Sequence, residues 1–193
     1  MPVRRTVLFS FLAVTAALLN ACASTQMTEV VAGQQATGPA PGKALVYLIR
    51  PSMLGGAIQS TVFDGDQYIG TVSADTHVAY QAEPGTHMFM VIGESADFMQ
   101  ADLLADKTYS AIVAPRFGVW KARFSLNPNN GEFTDAKIQE WLKSTRQVTV
   151  NEEGLRWAQQ HADSIQQKKA EYLPKWQAKP DAEKQILRAE SGR

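Results

Sequence analysis

Short apolar segments separated by turn residues fill the chain between Ala44 and Leu126. These segments are rich in β-branched and aromatic side chains, and the dipeptides Asp64-Gly65 and Pro84-Gly85 separate consecutive segments. Such dipeptides favour tight hairpins, because glycine adopts a positive φ at little cost. About eight short strands at this spacing predict an antiparallel β-sandwich or a small β-barrel. The first segment, Ala44–Arg50, is almost wholly apolar, which predicts a strand covered on both faces.

The hydrophobic pattern changes to helical spacing beyond residue 131. Ile138, Trp141 and Leu142 lie three and four residues apart, as on one face of a helix. Thr134 precedes them and is a suitable N-cap. These positions predict a helix with one apolar face.

A longer helix and a third one are predicted further along, after a short extended segment at 147–150. Asn151 is a suitable N-cap for the longer helix. Pro174 is expected to end that helix, because proline has no N–H to donate. The third helix is predicted to begin at Pro180 and to carry Ile186-Leu187 as its apolar residues.

Residues 1–21 have the form of an export signal. Arg4 and Arg5 precede an apolar run from Val7 to Leu19, and this run of about 13 residues is too short to span a bilayer. The run leads into Leu18-Leu19-Asn20-Ala21-Cys22, which resembles a bacterial lipobox. The resemblance implies cleavage before Cys22, a diacylglycerol on its thiol and an N-acyl chain on the new amine. No other cofactor is expected.

The next segment, residues 22–42, is rich in Ala, Thr, Gln, Gly and Pro. Little of it is suited to an apolar core, so a flexible tether of roughly 20 residues is predicted. The predicted organisation is a signal peptide, a flexible tether, an antiparallel β-domain and a helical C-terminal region, over residues 1–21, 22–42, 43–130 and 131–193.

Charge and cysteine content restrict the partners of the chain. Its 19 Lys and Arg balance 19 Asp and Glu, so no nucleic-acid partner is expected. Cys22 is the only cysteine, which leaves no intrachain disulfide and no cysteine-based zinc site. Ala23 follows it, and by resemblance to Gram-negative sorting signals a residue other than Asp there implies the outer membrane. We therefore expect a protein of the bacterial cell envelope that faces the periplasm. The alternative is an ordinary secretory signal or an uncleaved anchor helix.

Three motifs follow one another along the predicted β-domain: Val46–Pro51, then Asp64-Gly65 with Ile69-Gly70, then Glu83–His87. In this order behind a lipobox they resemble a family of small bacterial lipoproteins that carry a domain of unknown function. The second and third motifs also resemble the hairpins of PEGA-type surface β-domains. The resemblance covers roughly residues 43–127. It implies a β-sandwich-like fold and an envelope location, and it implies no established activity.

The segment from Arg116 to Leu126 alternates between apolar and basic residues. The simplest interpretation is a strand with an apolar face in the core and a basic face in water. The alternative is a surface that binds lipid headgroups, lipopolysaccharide phosphate or acidic glycan, through Arg116, Phe117, Lys121 and Arg123.

The predicted long helix carries an apolar stripe that includes Leu155, Ile165, Tyr172 and Trp176. Its members repeat at alternating intervals of three and four residues, as in a coiled-coil seam. Such a stripe packs on the protein's own sheet or binds a partner helix. Both interpretations stay open at this point.

No catalytic or metal site is predicted. If Pro84-Gly85 forms a two-residue hairpin, His77 and His87 point to opposite faces of one sheet and cannot share a metal ion. His87 is then expected at the edge of the core and His77 at the surface. Asp64 and Asp66 are interpreted as turn residues whose carboxylates bind the local backbone.

The sequence therefore favours a lipid-anchored envelope protein that acts as a non-enzymatic interaction or structural module. Its expected partners are the membrane, through the anchor, and an envelope protein or glycan. A β-domain that binds glycan or lipid headgroups is the first alternative. A hydrolase with a carboxylate pair that no local motif reveals is the second.

Overall fold

A computed structural model describes residues 24–52, 54–56, 58–116 and 123–193. The strands are β1 (Met27–Glu29), β2 (Ala44–Arg50), β3 (Ser60–Asp64), β4 (Gln67–Val72), β5 (Thr76–Ala82), β6 (Gly85–Ile92), β7 (Ala96–Leu103), β8 (Thr108–Arg116), β9 (Arg123–Pro128), β10 (Arg146–Val150) and β11 (Ile186–Leu187). The helices are α1 (Asp135–Ser144), α2 (Glu152–Gln160) and α3 (Ala162–Gln177), with 3-10 turns at Asp181–Glu183 and Ala189–Ser191.

The strands form two sheets that pack face to face. The first sheet has the order β1-β10-β5-β2-β8-β9, and the second has the order β11-β7-β6-β3-β4. This confirms the mainly β, sandwich-like fold with helices towards the C-terminus. The predicted purely antiparallel pairing was wrong: both sheets are mixed, because β2–β8, β10–β5 and β11–β7 are parallel pairs. Within the described residues neither sheet closes into a barrel.

The core lies in three layers, which follow from the alternation of side chains along the strands. Val46 and Leu48 of β2 point between the sheets, whereas Leu45, Tyr47 and Ile49 point outward under α1. All seven residues of β2 are buried, as its apolar run predicts. On the far side, α2 and α3 cover the outer face of the second sheet. The molecule is therefore a helix–sheet–sheet–helix arrangement.

The two predicted hairpins differ in outcome. Asp64-Gly65 marks a hairpin between β3 and β4, as predicted, but Asp64 ends β3 and the turn itself is Gly65-Asp66, with Gly65 at φ 58°. The Pro84-Gly85 hairpin is wrong, because β5 pairs with β2 and β10 while β6 pairs with β3 and β7. Proline at the first central position excludes the positive φ that both favoured two-residue hairpin turns require there. The turn instead carries the chain from one sheet to the other.

The segment predicted as a tether, residues 22–42, contributes to the fold from Ser24 onward. Strand β1 pairs with β10, and Met27 lies in the core between the sheets. The Tyr47 hydroxyl donates to the Ala36 carbonyl oxygen at 2.7 Å. Few described side chains of this segment are buried, as expected, but the predicted flexible tether was wrong from Ser24 onward. The strand that pairs with β1 is β10, which comes from the distant C-terminal region.

The helix N-caps are confirmed. The Thr134 hydroxyl accepts from the Lys137 backbone N–H, and the Asn151 side chain accepts from the Gly154 N–H at 2.9 Å. The predicted extended segment at 147–150 is also confirmed, as β10. Both caps depend on neighbours within a few residues, whereas β10 pairs with the distant strands β1 and β5.

The predicted long helix and third helix need correction. The helical segment breaks at His161 into α2 and α3, and α3 continues through Pro174 to Gln177. The last turn persists because Trp176 is buried and its Nε1 donates to Gln185 Oε1 at 2.8 Å. The third helix is only a 3-10 turn, and Ile186-Leu187 form β11 instead.

Candidate functional site

The predicted lipidation residue, Cys22, lies outside the described residues, and its lipidation stays a prediction. The described chain begins at Ser24, which is buried and opens a turn in which the Met27 N–H donates to the Ser24 carbonyl at 3.2 Å. Asn151 Nδ2 donates to the Thr25 carbonyl oxygen at 2.9 Å. Ser24, which is two residues after Cys22 in the sequence, is therefore held within the fold.

Two of the four predicted surface-binding residues lie together at one end of the first sheet. Arg116 ends β8 and Arg123 begins β9, and the two are direct cross-strand partners. Partners in a ladder project from the same face of the sheet, so the two arginine side chains leave the backbone side by side. Phe117 and Lys121 fall outside the described residues.

Arg116 also contacts the buried carboxylate of Asp97. Its Nη2 donates to Asp97 Oδ2 at 3.1 Å, and Gln185 Nε2 donates to the same oxygen. Lys179 Nζ lies 3.7 Å from Asp97 Oδ1. Burial raises the pKa of Asp97, while Arg116 and Lys179 act in the opposite direction. The Arg116 charge is thus partly neutralised by Asp97. The alternating pattern from Arg116 to Leu126 did not predict this ion pair.

The apolar side of the same strand behaves as predicted. Phe124 and Leu126 are buried between the sheets. The guanidinium of Arg50, which is itself fully buried, lies 4.7 Å from the centre of the Phe124 ring. Burial lowers the pKa of Arg50, with Asp75 opposing the shift.

Arg50 holds a loop that the sequence interpretation did not single out. Its Nη1 donates to the Ile58 carbonyl at 2.6 Å, and its Nη2 donates to the Gly55 carbonyl at 2.8 Å. Further bonds reach the carbonyls of Leu54 and Val72. The available signal was an arginine at the end of an otherwise apolar buried strand.

The apolar stripe of the C-terminal helices is divided between the core and the surface. Ile165 and Trp176 are buried against the second sheet, and Tyr172 packs beside them. Leu155 lies on α2, before the break at His161, and is 54% exposed. The structure therefore brings three of the four candidate partner-helix residues onto the protein's own sheet.

His87 belongs to a hydrogen-bonded cluster that bridges the two sheets. Its Nδ1 lies 2.7 Å from Asp64 Oδ2, and the Tyr80 hydroxyl donates to the same oxygen at 2.9 Å. Its Nε2 donates to the Glu83 carbonyl oxygen at 2.8 Å, since a carbonyl can only accept. Burial and the neighbouring Asp64 carboxylate raise the pKa of Tyr80 well above its usual range. His87 is at the edge of the core as predicted, whereas Asp64 is the last residue of β3 and its carboxylate binds side chains of other strands.

His77 lies beside a cavity of about 710 Å³ between the outer face of the first sheet and α1. It is only 3% exposed, so its predicted surface position was wrong; β10 and Thr145 cover it. The Thr145 hydroxyl donates to the Trp141 carbonyl at 2.7 Å and lies 2.8 Å from His77 Nδ1. Because that hydroxyl has one proton, Nδ1 must be the donor to it. Burial lowers the pKa of His77 to about 4.

A second cavity of about 490 Å³ lies between one end of the second sheet and the helices α2 and α3. Gln26, Ile58 and Trp157 line it. Lys168 lies at its edge, where Nζ donates to the carbonyls of Gly93 and Glu94 at 3.0 and 2.7 Å. This cavity brings the start of the folded chain next to the loop that Arg50 holds.

Neither a cluster of metal-ligating side chains nor a membrane-spanning helix occurs among the described residues. In that part of the chain no group of three or more His, Cys, Asp or Glu side chains is placed to hold a metal ion. The helices there are too short or too polar to cross a membrane. Among the described residues that line the two cavities, Asp135 supplies the carboxylate of the first and Glu94 that of the second.

Comparison with known proteins finds no match: no family model, curated protein or solved structure is similar to this chain. The class of the protein is therefore defined by its architecture, a two-sheet sandwich flanked by helices on both outer faces.

Proposed function

We propose that this protein is a lipid-anchored component of the bacterial cell envelope that acts as a non-enzymatic interaction or structural module. It is held in the outer membrane and faces the periplasm, and its partner is an envelope protein or glycan. The observation that carries the proposal is Cys22, the only cysteine, at the end of an apolar leader and two residues before Ser24, which is buried in the β-sandwich. One acyl chain gives only marginal membrane attachment, so a diacylated and N-acylated cysteine suits permanent anchoring.

The use of the buried polar groups supports a module without its own chemistry. Side chains that often act as acids or bases are here bound to one another: His77 to Thr145, His87 to Asp64, and Asp97 to Arg116. These pairs join separate strands or connect a strand to a helix end. A role in holding the sandwich together accounts for each of them.

Metabolic labelling tests the anchor directly. Cells expressing the full chain are grown with an alkyne analogue of palmitate, and the label on the purified protein is measured by mass spectrometry. The expected result is label on Cys22 and sedimentation of the protein with the outer membrane. The variant Cys22→Ser should lose the label, because the thiol is the site of attachment.

The matched control moves the only thiol by two positions. The double variant Cys22→Ser, Ser24→Cys keeps one cysteine near the leader but removes it from the lipobox. It should remain unlabelled, which separates processing at the lipobox from acylation of any nearby thiol. Label that persists in Cys22→Ser, or that is absent from the parent chain, contradicts the proposal.

A further inference from the structure

We propose that one end of the sandwich lies directly on an anionic lipid bilayer, an inference that rests on the proposed anchor at Cys22. This surface, called here the anchor end, is defined by Leu54, Ile58, Arg116 and Arg123. The occupant is the membrane surface itself, with apolar side chains in its interfacial region and arginines at its phosphates.

The length of chain between the anchor and the fold is the first argument. Ser24 is buried within the fold, so at most about 7 Å of extended chain separates it from Cys22. Gln26, two residues further on, lines the same cavity as Ile58. A lipid on Cys22 therefore brings this corner of the sandwich to the bilayer, where a tether of about 20 residues would have held it away.

Strand direction is the second argument. Because β2 and β8 are parallel, Arg50 and Arg116 finish their strands at the same end of the first sheet. Arg123 is opposite Arg116 in the antiparallel pair β8–β9. Arg50 connects the loop that carries Leu54 and Ile58 to the start of β9. Its guanidinium binds the carbonyls of Leu54 and Ile58 and stacks over the ring of Phe124, the residue after Arg123. The loop and the end of the β8–β9 pair are thus held beside each other.

The chemistry of the anchor end is the third argument. Leu54 and Ile58 are 47% and 41% exposed, and the Arg50 guanidinium binds the backbone carbonyls of both, so the two apolar side chains lie on one short loop. Arg116 and Arg123 are like charges at directly opposite positions, an unfavourable arrangement in isolation. Asp97 offsets part of this repulsion, and a phosphate oxygen between the two guanidinium groups would offset the rest. Apolar and cationic side chains together fit the interface of an anionic bilayer.

Quenching by lipid-borne quenchers tests the orientation. In the mature lipidated protein the Cys22 thiol is blocked as a thioether. The variant Ile58→Cys therefore offers a single free thiol for a fluorescent label. Leu104→Cys is the matched control, because Leu104 is also exposed (49%) but follows the opposite end of β7. Ala96, at the start of β7, pairs with Ile92 beside the second cavity. The far end of β7 is about 23 Å from Ala96, so Leu104 lies well away from the anchor end. Leu54→Cys repeats the test if Ile58→Cys fails to fold.

The labelled proteins are reconstituted in vesicles of phosphatidylethanolamine and phosphatidylglycerol that contain a brominated lipid. Strong quenching at position 58 or 54 and little at 104 is expected. In the Ile58→Cys background, Arg123→Gln should lower the ratio of docked to undocked protein about fivefold, as for one cation near an anionic surface. Arg188→Gln, an exposed arginine after β11, should leave the ratio unchanged.

The outcomes separate this inference from the proposed function. A protein that carries palmitate on Cys22 but shows equal quenching at 58 and 104 overturns the orientation and leaves the anchor intact. If the quenching at position 58 changes neither with Arg123→Gln nor with the phosphatidylglycerol content of the vesicles, the role of the arginines is overturned. A chain without lipid on Cys22 overturns both proposals.

Discussion

His77 shows how one buried side chain couples the outer helix to the first sheet. It donates through Nδ1 to Thr145, which in turn donates to the carbonyl of Trp141 in α1. Burial lowers the pKa of His77 to about 4, below its ordinary value of 6.5. The folded protein therefore holds this imidazole uncharged over a range in which the unfolded chain binds a proton.

The stability of the fold should consequently depend on pH between 6.5 and 4. His77 contributes fully above pH 6.5, and its contribution is lost as the pH falls, because protons bind preferentially to the unfolded state. The loss at pH 4 is on the order of 3 kcal/mol in the free energy of unfolding. Urea unfolding from pH 4 to 7.5 measures it. His77→Asn keeps a polar group for Thr145 and should reduce the slope; an unchanged slope would show that His77 does not titrate this way.

At the scale of elements, the last turn of α3 and the short strand β11 act together. Gln185 accepts from Trp176 Nε1 and donates to Asp97, and its carbonyl accepts from the Gln100 N–H at 3.0 Å. Leu187 then inserts fully into the core between the sheets. These contacts explain why a helix containing Pro174 continues and why a strand of two residues is stable.

The side chain of Leu187 should therefore matter more than the length of β11 suggests. Leu187→Ala is expected to lower the free energy of unfolding by about 2–4 kcal/mol, because it leaves a cavity in a packed core. Its neighbour Ile186 is only half-buried, so Ile186→Ala should have a smaller effect. Urea denaturation of both variants provides the comparison. Equal, small losses would mean that β11 does not help to close the core.

At the scale of the whole molecule, the C-terminal region completes both sheets. Strand β10 separates β1 from β5 in the first sheet, and β11 forms one edge of the second. Helices α2 and α3 bury the outer apolar face of that second sheet. The chain from Ser24 to Arg193 is therefore interleaved, and a cut between residues 130 and 131 divides both sheets.

Removal of residues 134–193 should abolish cooperative folding. The truncated chain loses the partner of β1 and exposes Phe63, Met90 and Phe98 to water. Circular dichroism during urea titration should show no sharp transition. A cooperative transition close to that of the full chain would instead support an independent β-domain over residues 43–130.

The amino-acid sequence by itself determined the features that depend on near neighbours. The apolar run of β2, the Asp64-Gly65 hairpin and the caps at Thr134 and Asn151 are all set by residues a few positions apart. The same applies to the inward face at Phe124, which follows from alternation along one strand. The leader and Cys22 belong to this class of local signal, and they carry the proposed function.

Only the tertiary structure decided which strands pair and what covers them. Alternation gives the two faces of a strand but not its partner, so the entry of β1, β10 and β11 into the sheets had no local signal. The burial of His77, the carbonyl contacts of Arg50 and the pairing of Arg116 with Asp97 follow from those pairings. Strand pairing is determined by the burial of apolar faces against segments that are distant in the sequence. The free energy of that burial is gained only when the whole sandwich assembles.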